Sequence, residues 1–353
     1  MFKGSFTALI TPFKNNRLDR AAYVKLIHHQ IDNGTNGLVP GGTTGESPTL
    51  SHAEHREIIK ICVRESKGRI PIMAGTGSNS TEEAIHLTRF AEKAGANAAL
   101  IVTPYYNKPT QEGLYQHYKA INNKCGIPIF IYNIPGRSVI DMSVDTMARL
   151  YELKNIAGVK DATGDLNRVV QQRKQLGKDF IQFTGEDSNA LEFKLRGGVG
   201  CISVTANVAP RLCSEMQTLL DYKTDKLILQ RAKEINKMLK PLHDLMFIET
   251  NPAPVKYAVS LLKLCSKDLG KVKFKLFISS KSIGSYPMTF LKFFLVISSS
   301  FSAFNKLDCA AASELSDCAK SEIVIIPRSN LLLSNSTCFS DKSKFSLLKI
   351  TFF

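Results

Sequence analysis

One short apolar run ends on a lysine: Ile156-Ala157-Gly158-Val159 has the residue types of a buried strand, and Lys160-Asp161 follow it. A buried amine is costly to keep charged, so desolvation lowers its pKa and favours the neutral form that can attack a ketone. Position alone supports equally well a structural ion pair from Lys160 to Asp161 or Glu186. Tyr132, near the end of the neighbouring run Ile127–Ile134, is a candidate general acid and base. A phenol with an ordinary pKa of about 10 needs a relay to work near neutral pH, and Thr43 and Tyr106 are the nearest hydroxyl candidates. Taken singly, each tyrosine is as well explained by ordinary packing.

Two further segments suit carboxylates. Gly41-Gly42-Thr43-Thr44-Gly45-Glu46-Ser47 is a glycine-rich turn between a strand and a helix, where free backbone amides can bind an anion. It lacks the lysine of a nucleotide P-loop, and neither it nor Gly75-Thr76-Gly77 completes a dinucleotide fingerprint. A small carboxylate therefore fits better than a triphosphate. Arg137, in Asn133-Ile134-Pro135-Gly136-Arg137-Ser138, stands where a guanidinium can clamp a second carboxylate, although a surface loop arginine has the same spacing. His28-His29 reads as a solvated helix face. His52 and His55 share a helical face but lack a third ligand, so neither a metal nor a cofactor is expected.

These residues sit at the ends of a repeating pattern. Eight apolar runs, Phe6–Pro12, Gly37–Gly42, Ile70–Gly75, Ala98–Pro104, Ile127–Ile134, Ile156–Asp161, Phe180–Gly185 and Cys201–Ala206, alternate with amphipathic segments such as Ser51–Glu65, Thr81–Lys93 and Thr110–Asn123. Parallel strands need crossover helices, so the pattern predicts an α/β fold, a (β/α)8 TIM barrel; periodicity alone also allows an open doubly wound sheet. Ser51 with Glu54 and Ser80 with Glu83 read as capping boxes. In a barrel the strand C-termini share one face. The predicted polar crown is Thr43-Thr44-Gly45-Glu46, Tyr105-Tyr106-Asn107, Tyr132-Asn133, Lys160-Asp161, Gly185-Glu186-Asp187 and Ser203 with Thr205.

The expected organisation is a catalytic barrel over residues 1–210, a helical C-terminal region over 211–265 and an anomalous tail over 266–353. Leu212–Leu220, Lys226–Met246 and Ala253–Leu264 read as the appended helices. From about Ser266 serine becomes dominant and roughly half of the phenylalanines follow, whereas all seven histidines come earlier. Such a tail reads as foreign to the barrel, as a shifted reading frame would produce. A surface tether built on Phe290–Phe304 is the competing reading, but that stretch carries Lys292 and is shorter than the roughly 20 residues of a membrane-spanning helix.

Composition narrows the class. With 44% hydrophobic and 22% charged residues among 353, the chain is an ordinary globular one. Its net charge of +15 comes from scattered basic residues with no run of five or six, so neither nucleic acid nor membrane is an expected partner. Eight cysteines without a two-residue gap read as reduced thiols, and Met1–Thr11 has no signal-like apolar stretch; a cytoplasmic location is expected.

Seven blocks, in order, carry a family resemblance: Gly41–Ser47 (GGTTGES), Ala74–Gly77 (AGTG), Val102–Tyr106 (VTPYY), Tyr132–Ser138 (YNIPGRS), Gly158–Gly164 (GVKDATG), Ile202–Asn207 (ISVTAN) and Asn251–Lys256 (NPAPVK). From Met1 to about Cys265 the chain resembles the dihydrodipicolinate synthase family of pyruvate-dependent class I aldolases, which also holds N-acetylneuraminate lyase. The resemblance implies a Schiff base between Lys160 and pyruvate, and a proton relay of Tyr132, Thr43 and Tyr106, the last reaching in from a neighbouring subunit. It implies that Thr44 holds the pyruvate carboxylate, Arg137 binds the carboxylate of L-aspartate 4-semialdehyde, and Gly185 and Ile202 supply backbone groups near the lysine. It also implies a homotetramer, a dimer of dimers, and feedback by L-lysine at Ser47, His52, His55, Asn79, Glu83 and Tyr105. The alternatives are another 2-oxo acid aldolase with the same lysine, against which the Arg137 block argues, and a non-catalytic relic with a damaged C-terminus.

Overall fold

The computed structural model describes residues 1–268, and the tail expected from about Ser266 onward lies almost wholly outside the described residues. At its centre are eight strands: β1 (Gly4–Ala8), β2 (Gly37–Val39), β3 (Met73–Gly75), β4 (Ala98–Val102), β5 (Ile129–Asn133), β6 (Ile156–Asp161), β7 (Ile181–Thr184) and β8 (Gly200–Ser203). All seven ladders between them are parallel, and β8 returns to β1 with Gly4 opposite Gly200. The bridge Leu38–Ile72 joins β2 to β3. The result is the expected (β/α)8 barrel rather than an open sheet.

Seven of the eight strands are shorter than the apolar runs that announced them, and β6 coincides with its run, Ile156–Asp161. Proline has no amide to give a ladder, so β3 starts after Pro71 and β5 after Pro128. A hairpin of Phe13–Lys14 with Arg17–Leu18 lies outside the predicted runs; Asn15 and Asn16 turn it at positive φ, which asparagine tolerates.

The intervening helices are α1 (Arg20–Asp32), α2 (His52–Ser66), α3 (Thr81–Ala94), α4 (Gln111–Asn122), α5 (Val144–Tyr151), α6 (Asn167–Leu176) and α7 (Ala190–Leu195). The predicted capping box of α2 is complete: the Glu54 amide donates to Ser51 Oγ at 3.3 Å, and the Ser51 amide donates to the Glu54 carboxylate at 2.8 Å. That of α3 is only half formed. Ser80 Oγ accepts from the Glu83 amide, but the Glu83 carboxylate turns instead to the Ser78 hydroxyl and to His52 at 3.4 Å. Partners brought in by the β3–α3 loop and the start of α2 override the local motif.

Inside the barrel, Phe6, Phe130 and Phe183 are fully buried and meet edge to face, with centroids 5.0 Å apart for Phe6–Phe183 and 6.1 Å for Phe130–Phe183. They fill the space beneath the catalytic end, together with Met73, Leu100 and Ile202. After β8 come α8 (Pro210–Leu219), α9 (Lys226–Met246) and α10 (Ala253–Leu261). Leu212, Cys213 and Met216 of α8 pack with Leu9, Ile27 and Leu38, so α8 completes the eighth β/α unit. Ile235, Leu239 and Leu242 of α9 and Val255 and Val259 of α10 extend the same core. Among the described residues, no helix is long and apolar enough to cross a membrane.

Removing one of the three central rings leaves a void that parallel strands cannot collapse into. Phe130→Ala is expected to cost about 3–5 kcal/mol, read from equilibrium unfolding in urea. A loss below about 1 kcal/mol would show that the rings do not fill the barrel.

Candidate active site

β6 places Lys160 between Tyr132 of β5 and Phe183 of β7 in the ladder register. The side chain is buried, at 6% exposure, and Nζ lies 4.1 Å from the centroid of the Tyr132 ring. Of the two carboxylates the sequence offered for an ion pair, Asp161 is taken elsewhere. Its side chain receives Arg168 Nε at 3.0 Å, Gln172 Nε2 at 3.2 Å and the Thr163 hydroxyl at 2.6 Å. No carboxylate among the described residues lies within ion-pair distance of Lys160. Glu186 is near enough to matter electrostatically: burial pushes its carboxyl up, and the positive charge of Lys160 pulls against that shift. Gly185 makes room for the lysine, since a Cβ there would lie 2.9 Å from Lys160 Cε.

The glycine-rich turn follows β2. The amides of Glu46 and Ser47 donate inside it, to the carbonyls of Thr43 at 3.0 Å and Gly42 at 3.3 Å. Those of Thr43 and Thr44 have no backbone partner among the described residues. Thr44 is buried and Thr43 half-buried. The turn presses on β3 so closely that a Cβ on Gly75 would sit 2.3 Å from the Gly41 carbonyl oxygen. Gly41 itself has φ +69°, a conformation that a side chain would strain.

Several crown candidates turn out to lock the barrel mouth. Asn133 donates to Asp141 at 2.7 Å and accepts from the Met142 amide at 3.0 Å. Asp187 receives the Ser203 hydroxyl at 2.5 Å and the amides of Val204 and Thr205 at 2.8 and 3.0 Å. Thr205 Oγ1 is hydrogen-bonded to His243 Nδ1 of α9 at 2.8 Å. Tyr106 is not brought to Lys160 within the chain: it is 88% exposed, at φ +71°. Ile202 is fully buried next to this locked segment.

The six residues expected around L-lysine largely gather at the start of α2 and α3. His52 meets Glu83, Asn107 Nδ2 donates to the Asn79 carbonyl at 3.0 Å, and His55 Nε2 donates to the Gly75 carbonyl at 2.7 Å. Burial lowers the His55 pKa, opposed by that bond. Burial and then the Glu83 charge raise the Tyr105 pKa, opposed by a bond to the Asn79 backbone. Ser47 belongs to the cluster only through its loop, which lies over His55 at Gly41.

Two contributors went unassigned at the level of sequence, both from the segment before and within α10. Asn251 Nδ2 donates to Thr44 Oγ1 at 3.1 Å, and its carbonyl accepts from Arg137 Nη2 at 3.0 Å. Lys256, 1% exposed, pairs with Glu46 of the glycine-rich turn at 2.5 Å and lies 4.7 Å from the Phe13 ring centroid. The block Asn251–Lys256 marks the segment, but no spacing rule carries it 207 residues back to Thr44. Among the described residues, no group of three or more histidine, cysteine or carboxylate side chains is placed to hold a metal ion.

Comparison with known proteins identifies relatives over the same residues. The model of the dihydrodipicolinate synthetase family matches residues 1–271. A 4-hydroxy-tetrahydrodipicolinate synthase of Pelagibacter ubique (strain HTCC1062) is 70% identical over 269 residues, covering 76% of this chain and 92% of that protein. The chloride-inhibited dihydrodipicolinate synthase of Acinetobacter baumannii, solved with pyruvate, superposes with a TM-score of 0.76 at 43% identity, over 83% of this chain and 99% of that one. The enzyme of Cyanidioschyzon merolae, solved with lysine bound, superposes with a TM-score of 0.76 at 33% identity, over 83% and 99% of the two chains. A lone buried amine at a strand end, two candidate carboxylate sites above it and a match across the whole described region lead to one conclusion: this chain belongs to the dihydrodipicolinate synthetase family.

Proposed function

We propose that the chain condenses pyruvate with L-aspartate 4-semialdehyde to give 4-hydroxy-tetrahydrodipicolinate, the entry reaction of diaminopimelate and lysine biosynthesis, by way of a Schiff base on Lys160. The observation that carries the reading is a buried lysine with no carboxylate partner among the described residues, stacked on a tyrosine. Its neutral amine adds to the pyruvate ketone, and loss of water from the carbinolamine leaves an imine. Loss of a C3 proton then gives an enamine, whose carbon attacks the aldehyde. Tyr132 moves protons at the carbinolamine oxygen and at C3, connected outward through Thr43 and Tyr106. Thr44 and the neighbouring amides hold the pyruvate carboxylate, Arg137 the semialdehyde carboxylate, and Gly185 and Ile202 supply backbone groups beside the imine.

We also infer a cytoplasmic homotetramer built from tight dimers. Tyr106 is 88% exposed and held at positive φ, which fits a role in a neighbour's relay. Feedback by L-lysine is supported by the gathering of His52, His55, Asn79, Glu83 and Tyr105, where Glu83 offers a carboxylate to an amine; in the Cyanidioschyzon merolae relative, lysine is bound.

Reduction with borohydride in the presence of pyruvate is expected to add the substrate to Lys160 alone, located by peptide mass spectrometry. Persistence of the adduct in Lys160→Ala would assign the nucleophile elsewhere. Tyr132→Phe is expected to lower kcat by about 10² to 10⁴, the usual contribution of a positioned acid or base, and unchanged turnover would remove Tyr132 from the relay. Millimolar L-lysine is expected to inhibit the wild type but not Glu83→Ala; inhibition that survives the substitution places the effector site elsewhere.

A further inference from the structure

Asn251 touches both groups that the proposed function assigns to substrate carboxylates, yet it lies outside the barrel, between α9 and α10. Its carboxamide nitrogen donates to Thr44 Oγ1 at 3.1 Å in a buried contact, and its backbone carbonyl accepts from Arg137 Nη2 at 3.0 Å. A hydroxyl has one proton and two lone pairs. When Thr44 accepts from Asn251, its own proton stays available for an anion, and the amide N–H fixes the direction in which it points. A carboxylate at the glycine-rich turn is an acceptor of the right kind.

Asn251 is 6% exposed, and among the described residues its buried Oδ1 has no hydrogen-bond partner, so the carboxamide meets the site through its donor. Five residues further on, Lys256 pairs with Glu46 beneath the same turn, which holds the segment and the turn at a fixed separation. The site is therefore braced from the appendage at two points, although the residues proposed to meet substrate all precede residue 208.

We propose that Asn251 is a positioning residue of the active site: its side chain orients the Thr44 hydroxyl toward the pyruvate carboxylate, while its carbonyl steadies the Arg137 guanidinium. The proposal rests on the reading of Thr44 and Arg137 given above. Because one contact uses the side chain and the other the backbone, substitution separates them. In the full chain, Asn251→Ala raises the pyruvate concentration for half-maximal borohydride trapping by about threefold to tenfold, the range of one lost hydrogen bond, and leaves the KM for L-aspartate 4-semialdehyde within about twofold.

The isosteric Asn251→Asp supplies only acceptors, takes the Thr44 proton and places a like charge beside the substrate, so it impairs pyruvate binding more than alanine does. Thr44→Val calibrates the site. With Thr44→Val in place, Asn251→Ala adds little further loss, because the hydroxyl it orients is gone. Additive losses, equal shifts for both substrates, or near wild-type pyruvate binding in Asn251→Asp would overturn the proposal. If Thr44→Val itself leaves pyruvate binding unchanged, the assignment of Thr44 fails first; if Thr44→Val weakens pyruvate binding and Asn251→Ala does not, only the positioning role fails. Asn251→Asp preserves the packing volume, so the test stands even if Asn251→Ala does not fold.

Discussion

The described residues are arranged around an amine buried at the end of β6 with no carboxylate within ion-pair distance among them. A carboxylate within ion-pair reach would tie the amine into a salt bridge and remove the nucleophile. The structure avoids that outcome by occupying Asp161, adjacent to Lys160, with Arg168, Gln172 and Thr163. Asp187 is likewise spent on Ser203 and the turn after β8. Lys160 faces the ring of Tyr132 and the space left by Gly185, with Glu186 near enough to interact electrostatically. The aromatic layer of Phe6, Phe130 and Phe183 fills the barrel interior, with Phe183 opposite Lys160 in the ladder.

Above the amine, precision depends on two close approaches. The glycine-rich turn and the start of the β3–α3 loop come together at a separation that only glycine at positions 41 and 75 permits. The same contact brings His55 against the turn, so the cluster assigned to lysine and the loop assigned to pyruvate share a wall. From the other side, the ion pair of Lys256 with Glu46 and the bonds of Asn251 tie the appendage to the turn. Burial lowers the Lys256 pKa and the Glu46 charge opposes the shift, as expected of a buried pair that is stable only while both members are present.

Local signals served well where one element decides the outcome. Ser51 with Glu54 predicts a capping box and forms one, because both partners lie within the first turn of a single helix. The same pattern at Ser80 and Glu83 fails, because Ser78 and His52 offer the carboxylate better company. Apolar runs located all eight strands and gave β6 its bounds but overstated the length of the other seven, since paired backbone, and not hydrophobicity, ends a strand and a proline interrupts the pairing.

The sequence by itself determined the β/α alternation, the lysine at the end of the sixth strand and the ordered motif blocks from which the family can be read. Those are properties of residue type and short spacing, which survive without coordinates. Only the tertiary structure decided that Asp161 is engaged away from Lys160, that Tyr106 faces outward from its own chain, and that Asn251 and Lys256 reach the turn at Thr44 and Glu46. Each of these depends on which groups the closed barrel and its appended helices bring together across many tens of residues, and no local periodicity encodes a contact between residues 44 and 251. The chemistry is legible because a reactive side chain must have a particular type; its positioning is not, because many residue types can supply one hydrogen bond.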